Sequence, residues 1–359
     1  MSGRITRIDI EHLAPLARGC SVLGAGGGGD TYTTLLAARY AIERFGPVGL
    51  VDLDDLPDDA LVMPCGGIGA PVVGIEKLGT GEEGGWIRDG LERVRGQKVA
   101  ALMAGEIGGA NGMQPINWAA HIGLPVVDAD GMGRAFPEIP QVTMEIAGIS
   151  ASPAVLTDER GNHISISAVD GAWMERIERT LSVEFGGRAS STEYSLTAAE
   201  ARTATVRRSV SLAIEIGNAM AAATQPIDAL RETVGARVLI TGKLTDVERR
   251  VTGGFVRGRV EVEGLDDHRG RTVLIEIQNE NLVAMDGDRV LASVPDIITV
   301  LDSETAEAIH TERLRYGQRV SVVAFPCDPI WRTSGGLRLA GPRSFGYDFD
   351  YVPIEDLAA

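Results

Sequence analysis

Apolar residues in the first half of the chain recur at two different spacings. Over Thr31–Phe45 they return every three or four positions, which predicts a helix with one buried stripe, and Asp30 stands where its N-cap belongs. Short apolar runs at Gly49–Leu53, Leu61–Pro64, Val99–Ala104 and Leu124–Val127 read instead as buried strands. His12–Arg18 predicts a short helix, Ser21–Leu23 a short strand, and Trp86–Arg95 another helix. Pro115 suits the first position of a helix running to Ile122. Strands alternating with helices in this way predict an α/β layer with a mostly parallel sheet.

After Pro153 the pattern changes. Ala154–Thr157 and His163–Val169 read as a hairpin around Glu159–Asn162, and Trp173–Phe185 and the alanine-rich Ala198–Ala223 read as helices. Beyond Pro226 short strands follow one another: Arg237–Gly242, Gly254–Val262, Thr272–Gln278, Asn281–Ala284, Arg289–Val294, Ile297–Leu301 and Arg319–Ala324. Such a series predicts a barrel or sandwich. The expected organisation is an α/β domain over residues 1–165, then a C-terminal domain over 166–359. In the latter, a helical connection (170–225) leads to a β-rich part (230–359).

Composition narrows the function classes. A formal charge of −16, from 50 acidic and 34 basic residues, disfavours a phosphate-backbone partner, so no nucleic acid is expected. Three scattered cysteines without zinc-type spacing, and no long apolar run or leader-like start, predict a cytoplasmic protein with reduced thiols and no membrane contact. The five histidines are too dispersed for a histidine-based metal site or triad, so any metal would be a divalent ion held by oxygen. No organic cofactor is expected.

Glycines and carboxylates cluster in three segments. The first, residues 19–30, ends in four consecutive glycines (Gly26, Gly27, Gly28, Gly29) and Asp30. Gly24, Gly26 and Gly29 match a dinucleotide fingerprint, with Asp52 or Asp54 as the ribose acid. Asp30, however, stands at the helix mouth where a diphosphate would sit, and a carboxylate there repels it. The glycines would instead let backbone N–H groups approach a small ligand. The second segment carries Glu106 and Asn111 in a loop after a strand, where parallel sheets place their sites. The third delivers Asp128 and Asp130 at a strand end, two residues apart and so on one side, followed by Arg134 and Glu138. Two carboxyls that close would raise one another's pKa, bind a divalent cation, or pair with Arg134.

These stretches resemble one family: GCSVLGAGGGGD (19–30), GAPVVGIEK (69–77), GEIGGANGMQP (105–115) and GLPVVDADGMGRAFPE (123–138). Later stretches agree: QNENLVA (278–284), PDIITVLD (295–302), RYGQRVSVVAFPCDPIW (315–331) and GPRSFGYDFDYVP (341–353). Together they are similar to the S-methyl thiohydantoin desulfurases, which are associated with hydantoinase- and oxoprolinase-type enzymes. The resemblance implies an α/β domain followed by a β-rich one. It also implies hydrolysis of an S-methylated thiohydantoin to a hydantoin, with release of methanethiol. On that expectation Asp128 or Asp130 is the base and Glu106 its partner acid. Asn111 and the amides of Gly26–Gly29 hold the ring, and Arg134 or Lys77 receives a substrate carboxylate. Asp30 and Glu138 complete the binding set. A homo-oligomer and a hydantoinase-type pathway partner stay open, as do two other classes: a non-catalytic accessory protein for a hydantoinase, and a nucleotide-binding oxidoreductase.

Overall fold

The computed structural model of the chain describes residues 4–69, 73, 76–252 and 255–357. In its first half, β1 (Arg7–Ile8) and the helices α1 (Ile10–Leu23) and α2 (Thr31–Phe45) precede β2 (Val48–Val51) and β3 (Leu61–Gly69). Then come α3 (Glu83–Arg95), β4 (Val99–Ala104), α4 (Ala110–Ile122), β5 (Val126–Asp130) and the short α5 (Thr143–Ile146). The hairpin β6 (Ala154–Thr157) and β7 (His163–Ile166) leads through α6 (Gly171–Glu184) to β8 (Arg188–Thr192) and β9 (Leu196–Thr197).

These strands form a mixed sheet in the order β1-β2-β5-β4-β3-β8-β6-β7. Its centre, β2-β5-β4-β3, is parallel, and the remaining pairings along that path are antiparallel. Successive side chains of a strand point to opposite faces. Accordingly Leu61, Met63 and Cys65 of β3 join a core with α1, α2 and α4, while Val62 joins a second core on the other face.

The expected Ser21–Leu23 strand is the last turn of α1. Gly19 lies inside this helix where α1 crosses α8 (Ser209–Ala222), and a Cβ there would overlap the backbone of Ala213. Nor does Pro115 open α4. The helix begins at Ala110, behind Gly109 in a positive-φ conformation (φ 66°), and Pro115 lies within it. The alanine-rich stretch is broken into α7 (Ala198–Ala204), β10 (Val206–Arg207) and α8. Between the helices, β10 pairs with β5, and Arg208 turns the chain at φ 62°.

After α9 (Pro226–Val234) the β-rich part is an antiparallel seven-stranded sheet. It comprises β11 (Arg237–Thr252), β12 (Phe255–Gly264), β13 (Thr272–Gln278), β14 (Glu280–Asp286), β15 (Arg289–Ser293), β16 (Ile297–Asp302) and β17 (Arg319–Phe325). The expected start of β12, Gly254, lies outside the described residues. The order β15-β14-β13-β12-β11-β17-β16 is an open path, curled so that β14 touches β16, a half-barrel around its own apolar core. Ile297, Leu301, Val323 and Phe325 pack into the core of α1 and α8, and Trp331, ahead of α10 (Ser334–Ala340), packs into the core on the other face of the mixed sheet.

Candidate active site

The C-terminal stretch of β3 and the loops leaving β4 and β5 meet the start of α2, the end of β8 and the start of β14 around a cleft of about 180 Å³. In parallel sheets this is where ligands bind. Pro64–Gly69 of β3 runs through the wall of the cleft, largely as glycine, so backbone rather than side chains faces a ligand there.

Glu106 is the best-defined acid of the cleft. Asn111 Nδ2 donates to its Oε1, and the backbone N–H of Phe136 donates to its Oε2 at 3.2 Å. Burial pushes its pKa up to about 8; the two donors and Arg134 oppose the rise, and the charge of Asp130 adds to it. Across from it, Glu280 opens β14, buried, with no donor reaching Oε2 among the described residues. Its pKa stands well above the carboxylate range, first through burial and next through the charge of Glu106, with Arg134 opposing. The two carboxyls are electrostatic neighbours.

Gly27 makes this meeting fit: a Cβ there would overlap Oε1 of Glu280. Gly28 and Gly29, both at positive φ, line the cleft. Gly26 does not; it packs against Asn281 and Thr311. The first amides of α4 are already used, because Gly109, Ala110 and Asn111 donate to the carbonyls of Cys20, Gly29 and Gly28. The expected nucleotide fingerprint also loses its context, since its glycines follow a helix rather than a strand.

Asp30, Glu138 and Asn111 line the cleft as expected from the sequence. Asp30 caps α2 through the Tyr32 N–H (2.8 Å) and pairs with Arg313. Burial and the neighbouring Glu175 raise the Glu138 pKa.

Four expected residues lie off the cleft. Asp128 accepts from the Ser211 N–H (2.9 Å) and hydroxyl (2.5 Å), holding the first turn of α8. Asp130 is sealed: its Oδ2 accepts from the backbone N–H groups of Ile107 (2.8 Å), Met132 (3.0 Å) and Gly133 (2.7 Å), tying the two site loops together. Burial nevertheless lifts its pKa to about 7. Arg134 is fully buried and donates to the carbonyls of Ala135, Pro295 and Asp296, so it joins the two halves of the chain. Lys77 pairs with Glu159 at 2.7 Å and donates to the carbonyl of Phe185, facing a neighbouring cavity.

Sequence reasoning missed Glu280, Glu193, Tyr194 and Arg179, which line the cleft from the second half. The one available signal was an acid opening the apolar run of QNENLVA. Among the described residues no group of three or more His, Cys, Asp or Glu side chains is arranged to hold a metal ion. No helix among them is long and apolar enough to cross a membrane.

Comparison with known proteins agrees with this architecture. A crystal structure of a protein from Chromobacterium violaceum superposes with a TM-score of 0.81 at 25% identity, over 98% of this chain and 100% of that one. No curated protein matches significantly. Family models described as the S-Me-THD-like N-terminal and C-terminal domains match residues 11–168 and 169–354. Between them they span nearly the whole sequence, and the chain belongs to the S-Me-THD-like family.

Proposed function

We propose that the chain is a hydrolase acting on the C2 carbon of an S-methylated thiohydantoin-type ring. One observation carries this reading: two buried carboxyls, Glu106 and Glu280, share a small glycine-walled cleft, where burial lifts both pKa values and the charge of Glu106 lifts that of Glu280 further. Glu280 holds its proton the more firmly, so as pH rises through about 8 Glu106 ionises while Glu280 stays protonated, and the pair then offers a base and an acid at once. Family membership supplies the substrate class.

The ionised carboxyl takes a proton from water as the oxygen attacks C2. The protonated one gives its proton to the ring nitrogen as the C2–N double bond opens, which forms a tetrahedral adduct. Breaking the C2–S bond then expels the thiolate, the adduct hydroxyl loses its proton, and a C2 carbonyl remains. In net terms one molecule of water is consumed, and the products gain one proton on ring nitrogen and one on methanethiol. Asn111 already donates to Glu106, so its role here is to orient the acid. Purified protein mixed with an S-methyl thiohydantoin should release methanethiol stoichiometrically with hydantoin, followed by a thiol reagent. Binding of the ring without thiol release would leave an accessory protein and overturn the hydrolase.

A further inference from the structure

The expelled thiolate needs a proton as the C2–S bond breaks, at the moment when the Glu106–Glu280 pair is engaged with the ring nitrogen and the adduct hydroxyl. A second carboxyl pair lies on another wall of the same cleft. Glu193 follows β8, lines the cleft, and has a buried Oε1 without a conventional donor. Behind it Glu178 of α6 is fully buried, and no N–H or hydroxyl among the described residues reaches either of its oxygens. Its neighbour is the carboxyl of Glu193, which likewise leaves a buried oxygen without a donor. Two carboxyls meet in this way when one of them keeps its proton.

The surroundings favour the protonated form. Burial, then the charge of Glu193, lifts the Glu178 pKa well above the usual carboxylate range. Burial raises Glu193 too, with Glu178 and Ser191 opposing, so the pair keeps a proton between its two carboxyls. Facing the pair are Glu175 and Arg179 of the same helix, the Cys65 thiol of β3, and Tyr194, whose hydroxyl donates to Glu145 at 2.6 Å. Topology places the two pairs on either side of one strand. In the order β4-β3-β8, Glu106 follows β4 and Glu193 follows β8, with the glycine-rich end of β3 between them.

We infer that Glu178 and Glu193 share one proton and that Glu193 delivers it to the sulfur as the C2–S bond breaks. The sulfur then departs as neutral methanethiol; Glu178–Glu193 recovers its proton from solvent, and Glu106–Glu280 releases to solvent the surplus proton it took from water. Glu193 is a catalytic residue in this scheme, and Glu178 is a positioning residue acting through it. The inference rests on the hydrolase reading for the leaving group, whereas the shared proton can be observed without turnover.

The experiment has two arms. Infrared spectra near neutral pH of Glu106→Gln/Glu280→Gln protein should show a protonated carboxyl band that is lost when Glu178→Gln is added; a spectrum unchanged by that third substitution would refute the shared proton. In the second arm, Glu193→Gln should lower kcat about 100-fold or more for an S-methyl substrate. For an S-aryl substrate, whose thiolate leaves without help, the loss should be under about tenfold. Glu178→Gln should also shift the pH profile of S-methyl turnover. Equal losses on both substrates would refute the leaving-group role. A wild type inert toward both would refute the ring chemistry and that role together, with the carboxyl band still deciding the shared proton.

Discussion

Glu106 illustrates how much of a residue's chemistry is decided by neighbours rather than by its type. An exposed glutamate titrates near about 4.3; this one is pushed up to about 8 by burial. Below the ordinary carboxyl range the folded and unfolded chains both hold its proton, so the residue does not bias folding. As pH rises the unfolded chain releases the proton first, and the folded protein loses stability until its own carboxyl ionises. Glu106→Gln has no such proton. Its melting temperature should therefore gain on the wild type between about pH 5 and about pH 8, while kcat falls about 100-fold or more. A variant that tracks the wild type across that window would show the acid to be ordinary. Asp130 needs the opposite expectation. Asparagine can keep the oxygen that accepts three backbone N–H groups, so Asp130→Asn should stay folded with kcat within about tenfold of wild type. Asp130→Ala strands those donors, at about 1–3 kcal/mol each, and should not yield a folded protein. Thermal melts of the two variants distinguish a loop tie from a reacting base.

At the scale of elements, Asp128 marks where sequence patterns stop being informative. Its carboxylate accepts from the first turn of α8, so Asp128→Ala should cost about 1 kcal/mol of stability with little change in kcat. A comparable loss of activity without destabilisation would return it to the site. The parallel centre of the sheet and the strands after Arg237 were legible because apolar periodicity is local. What was not legible is tertiary. Gly19 sits in a helix only because another helix crosses it, and β8, with the sequence Arg-Ala-Ser-Ser-Thr, lacks the apolar alternation that marks a strand. The chain break at Thr205–Arg208 likewise depends on β5 accepting β10 as a neighbour. In the cleft, the acids at strand ends were visible by type, but only three-dimensional packing separates Glu106, which faces the cleft, from Asp128 and Asp130, which do not.

At the scale of the molecule, the cleft is a joint. Glu106 and the glycine loop come from the first half of the chain, and Glu280, Glu193 and Arg179 from the second. Gly27→Ala tests this seam directly, because the new methyl meets the end of a flexible side chain, Glu280, and not backbone. We expect a melting temperature within a few degrees of wild type and a loss of turnover of about 100-fold. Retained turnover would remove Glu280 from the chemistry. The arrangement also bears on recombination between relatives. A chimera that takes residues up to 168 from one parent and the rest from another would inherit its two central acids from different lineages, and its glycine loop would be matched to a foreign glutamate. Such a hybrid can fold and still be silent, so its activity would measure how well two ancestries agree at one contact.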